Sequence, residues 1–294
     1  MRAGLTDRSI RLALTSQGLH RTHHGFYLPT SHTAAQTHLT VARQLIAAST
    51  RGTVGSHVTA ALLHGLPTWG LPLDAIHVTR DSTASGKSSN RRTLHRAPLP
   101  ADHITQREGI AVNTVERLLV DIARTADAES VFVTGDYALR HQRTTLAAIA
   151  AVVEDMRGWR GIGKARTVLD QLDARSESVG ESRSRAVLLA MDLPALSIQH
   201  EIRDSLSRRL LARVDFALES LRIAGEFDGK VKYGRALNGD ANLEDVLWRE
   251  KQREDRIRGE GWLTVRWTWA DLADPAVIYE RFQRAIALAR RFGG

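Results

Sequence analysis

The chain has 294 residues, with 41 Lys plus Arg against 33 Asp plus Glu, 43% apolar residues and no Cys. The missing Cys excludes disulfides, cysteine zinc sites, iron–sulfur clusters and thiol chemistry, and no apolar run approaches the roughly 18 residues that a membrane span needs. Residues 1–175 hold 21 basic and 14 acidic side chains and eleven of the 12 His, while 176–294 hold 20 and 19. The positive field therefore sits in the front part and suits a polyanion such as nucleic acid, without separating DNA from RNA or anionic lipid. The length favours two domains. The opening MRAGLTDRSIRLALTSQG lacks the apolar segment and cleavage site of a secretory signal, so the expected location is cytoplasmic, with no membrane partner.

In chain order, residues 5–30 predict a short helix ending near Gly18, and LHRTHHGFYLP then alternates around Gly25 as a two-stranded wing closed by Pro29. That is the back half of a winged helix, in which basic residues meet phosphates while a recognition helix enters the major groove; Arg8, Arg11, Arg21 and His23 are the candidate contacts. A small basic helical cap with solvated charges accounts for the same residues. Two helices follow, over 33–49 and 57–66, where His57 and His64 lie seven apart on one face and read as structural. LPLDAIHVTR predicts a strand before the polar loop DSTASGKSSNRR. Arg80, Lys87, Arg91, Arg92 and Arg96 bracket that loop, either as a phosphate-tracking surface or as solvated charges. VERLLVDIARTA, ESVFVTGDYALRHQ, TLAAIAAVVEDM and KARTVLDQLD carry helical periodicity. Between the last two, GWRGIGKA fits a phosphate-loop spacing, but it ends in Ala165 where Mg²⁺ needs a hydroxyl, and it follows a helix rather than a strand. It reads as an inter-helix turn, with no nucleotide hydrolysis expected.

After the linker ARSESVG the rhythm changes. A helix over 181–193 leads to strands at ALSIQHEIRD, LARVDFAL and LRIAGEFDG, a long charged helix at NLEDVLWREKQREDRIRGEG, a strand WLTVRWTW and a last helix from Asp274 and Pro275. The predicted order is α-β-β-β-α-β-α, which makes the whole chain α+β and multidomain.

Asp215 alternates with Val214 and Phe216 on one of these strands, and Glu226 with Phe227 on the next. With a two-residue turn at Glu219 and Ser220, Asp215 pairs with Ala224, and Glu226 becomes its diagonal neighbour. Two carboxylates that close repel unless a hard divalent cation such as Mg²⁺ or Mn²⁺ lies between them. Small Ala217 and Ala224 would leave room for it, and Lys230, four beyond Glu226, could stabilise phosphate charge. Polar residues that simply meet water give the same alternation. Ser178 and Glu181 fit a capping box, and Lys251, Asp255 and Arg258 form one helical stripe. Trp267 reads as core, whereas Trp262 and Trp269 could stack on a base.

At these residues the sequence resembles the PD-(D/E)XK nuclease superfamily, in particular the domain related to very-short-patch repair endonucleases, over 176–294. The resemblance implies that Asp215 and Glu226 ligate metal, with Glu181 a third acidic member. Here E-x-D replaces E-x-K. Either Asp228 is another ligand and Lys230 takes the lysine role, or that role has moved to Lys251. Arg185 and Lys232 complete the candidate nucleic-acid contacts on this half. The front part resembles AbiEi-type antitoxin regulators through GFYLP, SHVTAALLHGLPTWG and TVERLLVDIART. The expected domains are 1–30, winged-helix-like; 31–175, AbiEi-like; and 176–294, nuclease-like. The two resemblances together imply a Mg²⁺- or Mn²⁺-dependent DNA endonuclease in phage defence or a toxin–antitoxin-like system, or else a non-enzymatic DNA-binding regulator with an inactive nuclease fold. A homodimer and a cognate toxin or phage component are the further expected partners.

Overall fold

The computed structural model describes residues 7–16, 18–23, 26–49, 52–82, 88–89, 91–229 and 243–292. Lys87, Lys230 and Lys232 lie outside the described residues. By its contacts the chain divides into two units, one running to Ala138 with Gln142–Leu172, the other comprising Leu139–His141 with Asp173 onward. The structure is α+β in both, and among the described residues no helix is long and apolar enough to cross a membrane.

The first unit opens with α1 (Asp7–Thr15) and an antiparallel hairpin of β1 (Leu19–His23) and β2 (Phe26–Pro29). Next come α2 (Ala34–Ala47), β3 (Thr53–Gly55), α3 (His57–Leu63), β4 (Ile76–Arg80), β5 (Ser88–Ser89), β6 (Arg92–Arg96), β7 (Ile104–Arg107) and β8 (Ile110–Asn113). Four helices follow: α4 (Val115–Ala123), α5 (Ala128–Arg140), α6 (Leu146–Asp155) and α7 (Ile162–Leu169). Thr33 starts α2 with a reciprocal capping box: its hydroxyl accepts the Gln36 N–H at 3.2 Å, and the Gln36 side chain accepts the Thr33 N–H at 2.8 Å. The six strands form one mixed sheet in the order β5-β6-β4-β3-β8-β7. Of these, only β4 is anticipated by the sequence pattern. β7 and β8 turn at Glu108 and Gly109, both at positive φ, and Arg107 pairs with Ile110 across them. That is a two-residue hairpin whose Glu-Gly signal escaped the reading. The segment between α6 and α7 is a turn between helices, and Gly161 caps α7 at φ 83°.

In the second unit α8 (Val179–Leu189) precedes β9 (Ser197–Arg203), β10 (Leu210–Leu218) and β11 (Ile223–Phe227). Then come α9 (Leu243–Gly259), β12 (Leu263–Trp267) and α10 (Pro275–Phe292). The sheet order is β12-β11-β10-β9; β9, β10 and β11 are antiparallel neighbours, and β11 and β12 run parallel. Phe216, Leu218, Ile223, Phe227, Val265 and Trp267 pack on one side against Val187 and Leu188 of α8 and Ile278, Phe282 and Ile286 of α10. Trp267 is core as expected, and its indole N–H donates to Ser184 Oγ at 2.7 Å. On the opposite face Ala217 and Ala224 pack with Ile257 of α9.

Candidate functional site

The register of β10 and β11 corrects the expected one. Leu218 pairs with Ile223, Ala217 with Ala224 and Phe216 with Gly225. The connection is a 3₁₀ turn over Glu219–Leu221 followed by Arg222 in the left-handed region at φ 50°. A two-residue turn needs positive φ where Asn or Gly is at ease, and Glu-Ser offers neither, so the chain takes a four-residue loop. The last pair of the ladder is Phe216 with Gly225, and continued one step this register would set Asp215 opposite Glu226 rather than diagonal to it. The ladder gives way there: an Asp215 carboxylate oxygen accepts the Phe227 N–H at 2.9 Å. The room expected beside Ala217 and Ala224 is also absent, because Ile257 packs on both.

Glu226 is held by arginines on two elements. Arg253 of α9 bonds one carboxylate oxygen, and Arg266, its register neighbour on β12, reaches the other through Nε at 3.0 Å. Arg266 also pairs with Glu250 and with Glu254 at 2.7 Å, and Arg253 with Glu250 at 3.3 Å, which makes one ionic network under α9. Burial would raise the Glu226 pKa, but Arg253 and then Arg266 outweigh it and hold the carboxyl below its usual range. Asp228, half-buried, donates its backbone N–H to the Trp267 carbonyl at 2.7 Å.

Ser178 caps α8 as expected, but the reciprocal bond of a capping box is replaced by one from the Glu177 N–H. The Glu181 N–H donates to Ser178 Oγ at 3.1 Å, and the Glu181 carboxylate accepts from Ser178 Oγ at 2.9 Å, the Glu177 N–H at 2.8 Å and Gln199 Nε2 at 2.9 Å. Its oxygens thus have partners in the two residues before α8 and on β9. Lys251 is exposed on α9, where Arg258 pairs with Asp255 at 3.4 Å. Arg185, read as a nucleic-acid contact, is 4% exposed. It lies on α8, most of whose residues are buried, so a duplex has no access to it there. Trp269 stands edge-on to Phe227 with the Arg183 guanidinium 5.6 Å from its ring, and Trp262 packs on His200.

In the first unit Arg8 and Arg11 are exposed on α1, Arg21 and His23 belong to β1, Arg91 is exposed and Arg92 half-buried at the start of β6. His64 is structural, as read, with Nε2 2.8 Å from the Asn113 carbonyl. His57 is not confined to such a role: it lies beside His77 and His95, which the sequence reading passed over. The signal was a histidine at the inner position of each of two short strands, but only the sheet brings the three together.

No family model matches the chain. Over 175 residues it is 31% identical to the uncharacterized proteins MT2308 of Mycobacterium tuberculosis (strain CDC 1551 / Oshkosh) and Rv2248 of Mycobacterium tuberculosis (strain ATCC 25618 / H37Rv). The alignment takes in 59% of this chain and 61% of each relative, so the chain spans less than two thirds of their length.

Proposed function

We propose that this chain is a metal-dependent DNA endonuclease that hydrolyses phosphodiester bonds at the carboxylates of its second unit. The observation that carries the reading is the Asp215 carboxylate taking the Phe227 N–H at 2.9 Å, which seats it beside Glu226 of the neighbouring strand, with Asp228 two residues beyond. The order α8-β9-β10-β11-α9-β12-α10 around that hairpin supports it as well, being the order the nuclease resemblance implies. The donor set is all oxygen and suits Mg²⁺ or Mn²⁺. Asp215, Glu226 and Asp228 would hold the ion only after their side chains move together, since the three do not converge as they stand, and a bound ion supplies an activated water and charge stabilisation. The Phe227 N–H fixes one oxygen of Asp215, and Arg253 and Arg266 keep Glu226 ionised but must yield it. The basic front part would hold the duplex.

The test is incubation of supercoiled plasmid and of phage DNA with the purified chain in Mg²⁺, Mn²⁺ or EDTA, with Asp215→Ala alongside. The expected result is cutting that needs the metal and falls at least about 100-fold in the variant. Wild-type cutting by Asp215→Ala sinks the assignment.

The arginine clamp on Glu226 favours a second reading, a DNA-binding regulator whose nuclease-like unit is a scaffold. Its mark is metal-independent DNA binding that is lost when residues 1–30 are deleted; affinity unchanged by that deletion counts against it.

A further inference from the structure

β4 and β6 are parallel neighbours with Thr79 opposite His95 and His77 opposite Thr93, which sets His77 and His95 diagonally on one face of the sheet. His77 Nδ1 and His95 Nε2 are 3.0 Å apart, and the His57 ring, from the start of α3, stacks on His95 with centroids 3.8 Å apart. One ring nitrogen from each of the three lies within 4.8 Å of the others. Among the described residues this is the only group of three or more His or acidic side chains that does so. Burial leads in lowering the pKa of all three imidazoles, and at His95 the neighbouring His57 and His77 add to it, to about 3. Ser56 Oγ lies 3.1 Å from His57 Nδ1, a contact that leaves Nε2 as the ligand atom.

A second observation is independent of the imidazoles. A pocket of about 350 Å³ is bounded by His57, His95, Thr79, Arg117, Arg124 and Trp159. Thr79 is 1% exposed, yet its hydroxyl has no hydrogen-bond partner in the protein. A buried hydroxyl on a pocket wall with no protein partner points to something bound beside it.

We propose that His57, His77 and His95 bind a transition-metal ion of the Zn²⁺ class, with its fourth position opening into this pocket. Three imidazole donors with no carboxylate or thiolate suit Zn²⁺, Co²⁺, Ni²⁺ or Cu²⁺ and not Mg²⁺ or Ca²⁺. Metal–nitrogen bonds of about 2.0–2.1 Å in a tetrahedron put ligand atoms about 3.3 Å apart. The His77 and His95 nitrogens, 3.0 Å apart, are close to that spacing, and the His57 ring, stacked on His95, has to rotate to bring its nitrogen to the ion. Asp121 accepts from both Arg117 and Arg124, which lessens their repulsion of a cation. Their remaining positive charge favours an anionic fourth ligand, hydroxide or an oxyanion. The site lies entirely in the first unit and does not depend on the carboxylates of the second.

The experiment uses the full chain, stripped with a chelator and exchanged into metal-free buffer. Zn²⁺ is titrated by calorimetry and Co²⁺ by visible absorption, and the zinc-loaded wild type is examined by X-ray absorption. The expected result is one equivalent bound, three imidazole nitrogens at about 2.0 Å, and at least about a tenfold loss of affinity in His77→Gln and His95→Gln. Glu280→Ala, which removes only an exposed pair with Arg284, serves as the control that keeps full affinity, and because the readout is imidazole ligation rather than DNA cutting, failure of the nuclease proposal leaves this result standing. No binding by the wild type, a zinc spectrum without imidazole ligands, or unchanged affinity in a folded His95→Gln overturns the proposal. If both histidine variants fail to fold, the wild-type ligand count decides.

Discussion

His64 is held in one tautomer by its two partners. Nε2 donates to the Asn113 carbonyl, so Nδ1 accepts the Arg107 Nε–H at 3.0 Å. Burial leads in lowering its pKa below the usual 6.5; the Asn113 carbonyl opposes that and the Arg107 charge adds to it. Protonation would turn Nδ1 into a donor facing a guanidinium. Because the folded form holds this proton less tightly than the unfolded chain, the stabilisation is complete above pH 6.5 and is lost as pH falls from there toward the lowered folded value. An NMR titration of the imidazole is expected to give a midpoint below 6.5, and His64→Gln should flatten the fall in urea stability between pH 7.5 and 5. Arg117 and Asp121 show the other face of burial: their side chains are 1% and 2% exposed and joined at 3.0 Å. Asn113, Pro98 and His103 satisfy their remaining groups. Asp121→Ala leaves a buried guanidinium short of its counter-charge, and urea unfolding should show a loss of about 3–5 kcal/mol. Glu280→Ala, which breaks an exposed pair with Arg284, should change stability by less than about 0.5 kcal/mol.

Among the elements, the start of α8 is the most exacting. A Cβ on Gly180 would sit 2.0 Å from the Phe227 ring, so helix and strand approach as closely as they do only because that position has no side chain. Gly180→Ala is expected to cost about 1–3 kcal/mol by overpacking, and Ser178→Ala about 1 kcal/mol through the lost cap; thermal melts of the two variants measure both. Among the described residues, the elements legible in the sequence were the ten helices α1–α10, the β1–β2 hairpin, β4 and the alternating β9, β10, β11 and β12. The strands that escaped are short or polar. β3 has three residues, β6 reads Arg-Thr-Leu-His-Arg, and β7 and β8 have four each, too few to impose a period-two pattern. The hairpin of the carboxylates was legible as two strands but not in register, because Arg222 adopts a left-handed conformation that its side chain gives no reason to expect.

For the whole molecule, charge and topology matter more than any one spacing. The excess positive charge of residues 1–175 predicts that, on the proposed DNA role, affinity falls steeply with salt. With six or more phosphate contacts the drop between 50 and 200 mM should reach about a thousandfold, read by fluorescence anisotropy. The carboxylates were legible because adjacent strands of one hairpin bring them together. The arginines that hold Glu226 were not, since Arg253 and Arg266 arrive from a helix and a strand further along the chain. The three histidines were hidden in the same way: α3, β4 and β6 meet only through a mixed sheet whose strand order leaves no mark on local sequence.

β12 has a consequence for how the chain is made. It lies parallel to β11 from Ile223–Leu263 to Phe227–Trp267, and a parallel neighbour cannot be reached by a tight turn. On the ribosome β11 is therefore complete well before its partner strand has been synthesised, and in that interval a row of open amides and carbonyls flanks the apolar Ile223 and Phe227. A nascent chain stalled or cut before Leu263 keeps that edge bare and should go to the insoluble fraction or to chaperones.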